Sequence, residues 1–101
     1  MVVKVFIVSG FKKIVAKVKS SNTDSYDIED PLMLEEMMTE QGPRAMIVPI
    51  PYAKQNQPIV LLRSALIFEP FDPESNLYNA YIETVTGLHV PSVGAGGIIR
   101  P

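Results

Sequence analysis

The chain opens with short stretches in which apolar side chains recur at every second position. Residues 2–8, "VVKVFIV", are rich in β-branched and aromatic side chains and end at Ser9 and Gly10, the pattern of a strand closed by a turn. In "KIVAKVKS", Ile14, Ala16 and Val18 alternate with Lys13, Val15, Lys17 and Lys19, which predicts a second strand with one buried face and three lysines on the outward one. "SSNTDS" is turn chemistry, and in the following "YDIEDPLML" Tyr26, Ile28, Leu32 and Leu34 share a parity that Asp30 interrupts. Pro31 removes a ladder donor at the same place, so a bulge or bend of the kind a strongly curved sheet needs is expected there.

Beyond Leu34 the pattern is less regular. "EEMMTEQGPR" fits a helical turn or an irregular connection that ends at Gly42 and Pro43. "AMIVPIPY" is strand-like, but Pro49 and Pro51 share a parity and withhold two donors from one side, which puts this strand at a sheet edge or beside a bend. After the loop "AKQNQP", the apolar run "VLLRSALIFEP" is broken only by Arg63 and Ser64 and predicts two strand segments meeting at a tight turn. The period then changes. In "FDPESNLYNAYIETVTG", Asp72 is an N-cap candidate, Pro73 occupies the first helical position and Gly87 marks the stop, while Leu77, Tyr78, Tyr81, Ile82 and Val85 form one helical face. The expected organisation is a β domain over residues 1–71, a helix over 72–87, and a glycine-rich tail over 88–101 that is a flexible end or an arm docking Ile98 and Ile99 on a neighbour.

Composition narrows the class. With 101 residues, 47% of them hydrophobic and 20% charged, the chain has the size and apolar content of one small packed domain, not of a disordered segment. It contains no cysteine, which excludes disulfides and thiolate metal sites and permits a reducing compartment. No apolar stretch approaches the roughly 20 residues that span a bilayer, and "MVVKVFIVSG" lacks a basic leader, so a soluble, unprocessed protein is expected. The net charge of -2 argues against a dedicated polyanion binder, yet the charges are segregated. Lys4, Lys12, Lys13, Lys17 and Lys19 precede residue 20 with no acid among them, whereas Asp24, Asp27, Glu29, Asp30, Glu35, Glu36 and Glu40 follow. That segregation fits either strand faces pairing across a sheet or a basic surface repeated around an oligomer.

Catalytic chemistry is not indicated. His89 stands apart from any nucleophile or carboxylate constellation, and "GAGG" at 94–97 lacks the Lys and Ser or Thr of a phosphate loop. The carboxylates of Asp27, Glu29, Asp30, Glu35 and Glu36 have no calcium-loop spacing, and Met33, Met37, Met38 and Met46 suit a core or a subunit contact better than a metal. A non-enzymatic protein without cofactor or metal is expected.

Two stretches carry a resemblance. In "LLRSALIF" an apolar strand, Arg63 and a second apolar strand resemble the second motif of the Sm/LSm family, with Ser64 where that family has glycine. "DPLMLEE" resembles the first motif at Asp30, Leu32 and Met33, with Leu34 in the asparagine position. The lysine-rich second strand, the "EDP" third strand, "PIPYA" and the glycine-rich end are similar to short Sm-like proteins of marine cyanophage origin. The resemblance covers residues 2–70 and implies a small, strongly bent, five-stranded open barrel, here with a C-terminal α-helix. It further implies a homo-oligomeric ring of five to seven subunits, soluble in the host cytoplasm or attached to a virion. By the same resemblance Arg63, Ser64, Asp30, Leu32 and Met33 face the ring opening; Lys13, Lys17 and Lys19, on one outward strand face, are the candidates for phosphate contacts to single-stranded RNA or DNA. Tyr26 and Tyr52 are candidates for base stacking or for buried core and interface positions. The two functions left standing are a nucleic-acid-binding ring and a phage structural or assembly ring that binds no nucleic acid.

Overall fold

The computed structural model describes residues 2–50 and 59–87. The expectations for Tyr52, His89, "GAGG" and the tail fall outside those residues. Within them run β1 (Val3–Val8), β2 (Lys12–Ser21), β3 (Ser25–Thr39), β4 (Gly42–Pro49), β5 (Ile59–Leu62), a 3-10 turn (Arg63–Ala65) and α1 (Ser75–Thr86). The five strands form one antiparallel sheet in the order β1-β2-β3-β4, with β5 paired to the first part of β3. The fold is mainly β with one C-terminal helix, as the periodicities predict.

The sheet does not close through a continuous ladder. After the 3-10 turn the chain swings from β3 to the free side of β1 and meets it at two isolated bridges, Val8 with Leu66 and Val5 with Phe71. The second apolar segment of "VLLRSALIF" is therefore a crossing strap and not a regular strand, because the turn carries it away from the edge that β5 follows.

β3 is the organising element. Its register against β2 pairs Val15 with Leu32 and Lys17 with Glu29, two steps on one strand against three on the other. The surplus residue lies at Asp30 and Pro31, where Asp30 adopts φ 49°. The expected bulge is present, and it corrects the expected facing. One extra residue reverses the alternation of side chains, so Tyr26 and Ile28 enter one core while Leu32 and Leu34 enter the other. Two contacts hold the bulge: the Tyr81 hydroxyl donates to the Asp30 carbonyl at 2.9 Å, and the Asp30 carboxylate pairs with Lys17 at 3.1 Å. A positive φ strains any side chain with a Cβ. Asp30→Gly and Asp30→Ala both lose the ion pair, and the glycine variant is expected to be the more stable of the two by about 1 kcal/mol in urea denaturation. Equal stabilities would mean that the bulge relaxes once Lys17 is released.

The sheet is covered on both faces. Val15 and Ala16, neighbours on β2, are 1% and 0% exposed, which corrects the expectation of a single buried face. One core joins Val3, Val5, Val15, Leu32 and Ile47 to Leu77, Ala80 and Tyr81 of α1; the other gathers Phe6, Ala16, Tyr26 and Ile28 under β5 and the strap. The lysine-bearing face is thus the face that α1 partly covers, and Lys17 on it is half-buried. The helix begins later than expected, at Ser75 after Glu74, and Asp72 pairs with Lys4 at 2.6 Å instead of capping it. Gly87 ends it with φ 74°, the left-handed stop expected from its position. Ala80 takes the buried place expected of Tyr78, which is exposed.

Past the pairing of Lys13 with Leu34, β2 ends but β3 continues to Thr39 and returns as β4 through the pair Thr39 and Gly42. "EEMMTEQGPR" is therefore a two-stranded arm and not a helical turn. Its alternation is hidden from sequence inspection because it packs little: Met37 and Met38 are exposed and fill no gap in the core. Among the described residues no helix is long and apolar enough to cross a membrane.

Candidate nucleic-acid interface

Arg63 follows β5 directly, and the pairing of Leu62 with Ser25 brings it to the turn between β2 and β3. That turn is built by Asn22, whose side-chain oxygen accepts from the backbone N–H of Asp24 at 2.8 Å and of Ser25 at 2.9 Å, the local bonding that suits asparagine to turns. Arg63 closes on it from the other side. Its backbone N–H donates to the Asp24 carbonyl and its Nε to the Asn22 carbonyl, each at 2.9 Å. The guanidinium carbon lies 4.2 Å from the centre of the Tyr26 ring. Tyr26 is in turn fixed edge-to-face against Phe6, with ring centres 5.4 Å apart and planes at 67°. A buried aromatic pair thus supports a cation, and the cation holds a turn.

Arg63 retains access to solvent, its side chain being 34% exposed, and its contact with Glu69 is long at 3.7 Å to a carboxylate that is itself 85% exposed. Such an ion pair contributes at most about 1 kcal/mol. Arg63 therefore holds a charged group over an aromatic ring, beside the polar turn Asn22–Ser25, with part of its side chain open to solvent.

The other expected site residues lie elsewhere. Ser64 is exposed in the 3-10 turn beside Arg63. Asp30 lies six residues along β3 from Asp24, up to about 20 Å at some 3.3 Å per residue, and it sits in a strand bulge, not in a loop. Leu32 is buried under α1 and Met33 is half-buried. The structure does not bring Arg63 together with Asp30, Leu32 and Met33. Lys17 is paired with Asp30 and Lys19 with Glu29 at 3.0 Å, whereas Lys13 is exposed and pairs with no acid among the described residues. Asn22 is a member of the cluster that no sequence motif marks. Its signal was available in "SSNTDS" as turn chemistry, but nothing local marks that turn as the one Arg63 reaches.

Tyr81 is the strongly perturbed titrating group. Burial, reinforced by the negative charge of Asp30, holds its phenol well above the ordinary tyrosine range, so it stays protonated and keeps donating to the bulge.

The sequence matches no protein-family model and no curated protein.

Proposed function

We propose that the chain is a non-catalytic, Sm-like subunit of a homo-oligomeric ring that binds single-stranded RNA or DNA at the Arg63 cluster. The observation that carries this is the guanidinium of Arg63 lying 4.2 Å over the Tyr26 ring beside the Asn22 turn, with a third of the side chain still exposed. An unpaired base stacks on such a plane, and the adjoining turn offers peptide and side-chain groups to its edge. The sheet supports the ring. Among the described residues β4 and β5 each pair with β3 only, which leaves each with an open edge. Pairing the β4 and β5 side of one copy with the strap alongside β1 in the next is a head-to-tail contact, which closes into a ring when the rotation fits, five to seven copies here. Each copy then repeats the Arg63 surface around the opening.

Native mass spectrometry with oligo-U, oligo-A and single-stranded DNA at low salt tests both parts. A ring that captures an oligonucleotide is expected, with affinity falling as salt rises. Arg63→Ala is expected to weaken it by roughly tenfold, the scale of one lost stacking contact. An empty ring at low salt would favour a structural or assembly ring, of a virion for instance. A separate observation speaks for that second function: Lys17 and Lys19 are already paired within the chain, and Val60 and Leu62 on β5 and Ile67 and Phe68 on the strap are exposed.

A further inference from the structure

At the β1–β2 hairpin the chain places a phenylalanine where its backbone is least at ease. Phe11 adopts φ 57° and is 69% exposed, so it pays a conformational cost and contributes almost nothing to either core. Lys12 and Lys13 follow it; both are exposed and, among the described residues, neither pairs with an acid, unlike Lys4, Lys17 and Lys19. Phe11 and Lys13 border a concavity of about 230 Å³ whose remaining walls are Leu34, Glu35, Glu36 and Ala45. That is below the roughly 300 Å³ at which pockets for drug-sized ligands begin, so it takes a single ring.

We infer that this hairpin is a second nucleotide site, in which one base of a single strand stacks on Phe11 and enters the concavity while Lys13 holds a flanking phosphate. The site rests on the proposed binding of single-stranded nucleic acid and adds to it a contact separate from Arg63. Its chemistry selects the base. Carboxylates repel phosphate and accept from exocyclic amino groups, so Glu35 and Glu36 admit the base and exclude the backbone. Adenine and cytosine carry such an amino group and uracil does not. The strand therefore lies with its phosphates toward Lys13 and an amino-bearing base toward the arm.

The test is fluorescence anisotropy of the full chain with labelled oligo-C, oligo-A and oligo-U at low salt, paired with thermal unfolding. Oligo-C and oligo-A are expected to bind more tightly than oligo-U, and Glu36→Ala to narrow that gap. Phe11→Gly is expected to weaken binding of oligo-C at least about fivefold while leaving the unfolding midpoint unchanged or higher, since glycine accepts a positive φ. Binding that survives Phe11→Gly intact but falls with Arg63→Ala would overturn the second site and leave the first. A Phe11→Gly variant that loses stability together with binding would make Phe11 a structural residue and overturn it as well. Failure of every oligonucleotide to bind would remove both sites.

Discussion

Tyr81→Ala is expected to cost about 3–5 kcal/mol of folding stability, the range for emptying a fully buried aromatic position. Tyr81 is 0% exposed, lies at the centre of the core between α1 and the sheet, and its hydroxyl holds the Asp30 carbonyl at 2.9 Å. A domain of this size has only about 5–15 kcal/mol in total, so the variant is expected to be marginal at best. Tyr81→Phe separates the two contributions. It keeps the ring and leaves the bulge carbonyl without its donor, for an expected loss of about 1–3 kcal/mol. Urea denaturation of both variants measures the difference, and a phenylalanine variant as stable as the parent would mean that the bulge does not depend on this bond.

The same substitution has a signature in alkali. The folded phenol titrates above its value of 10.0 in the unfolded chain. The unfolded state therefore loses the proton first as pH rises, and the contribution of Tyr81 is complete below about pH 10 and declines above it. Tyr81→Phe is expected to flatten the loss of stability between pH 10 and the folded titration by about 1.4 kcal/mol per pH unit. Parallel curves for the two proteins would remove the buried phenol as its cause.

Phe6→Ala is the second large effect, again about 3–5 kcal/mol, and it tests the other core. Phe6 is 0% exposed and its ring supports Tyr26, on which Arg63 lies. Phe6→Leu retains much of the volume but removes the edge-to-face pair, worth about 0.5–1.5 kcal/mol. With that support gone, Tyr26 and Arg63 lose their common alignment. Phe6→Leu is accordingly expected to remain folded and to weaken oligonucleotide binding in the same direction as Arg63→Ala. Unchanged affinity in a folded Phe6→Leu protein would show that the Arg63 surface needs no ordered aromatic base.

Several of these elements were legible in the sequence and others were not, and the division follows the range of the forces involved. The strands β1 and β2 and the helix α1 announce themselves by period, because a repeat of two or of 3.6 is set by neighbouring residues. Gly87 marks the helix end and Asp30–Pro31 marks the bulge for similarly local reasons: a positive φ in one case, a missing donor in the other. The start of α1 is not encoded so locally: Asp72 has the sequence context of a cap, but in the folded chain its carboxylate pairs with Lys4 at 2.6 Å and the helix starts at Ser75. The arm over 35–46 carries no such signal, because Glu35, Glu36, Met37 and Met38 are all exposed in a row and leave no alternation to detect.

By itself the sequence determined a small, mainly β domain with a C-terminal helix, a bend in its third strand, and an arginine at a turn within its last apolar run. Those are consequences of local periodicity, of proline and glycine, and of composition. Only the tertiary structure decided which face each half of β3 presents, because a single surplus residue at Asp30 inverts the alternation after it. It alone placed α1 over the lysine-bearing face, and it alone brought Arg63 to Asn22, 41 residues away, and to the face of Tyr26. Contacts between residues so distant in the chain depend on register and crossover, and no periodicity within either segment encodes them.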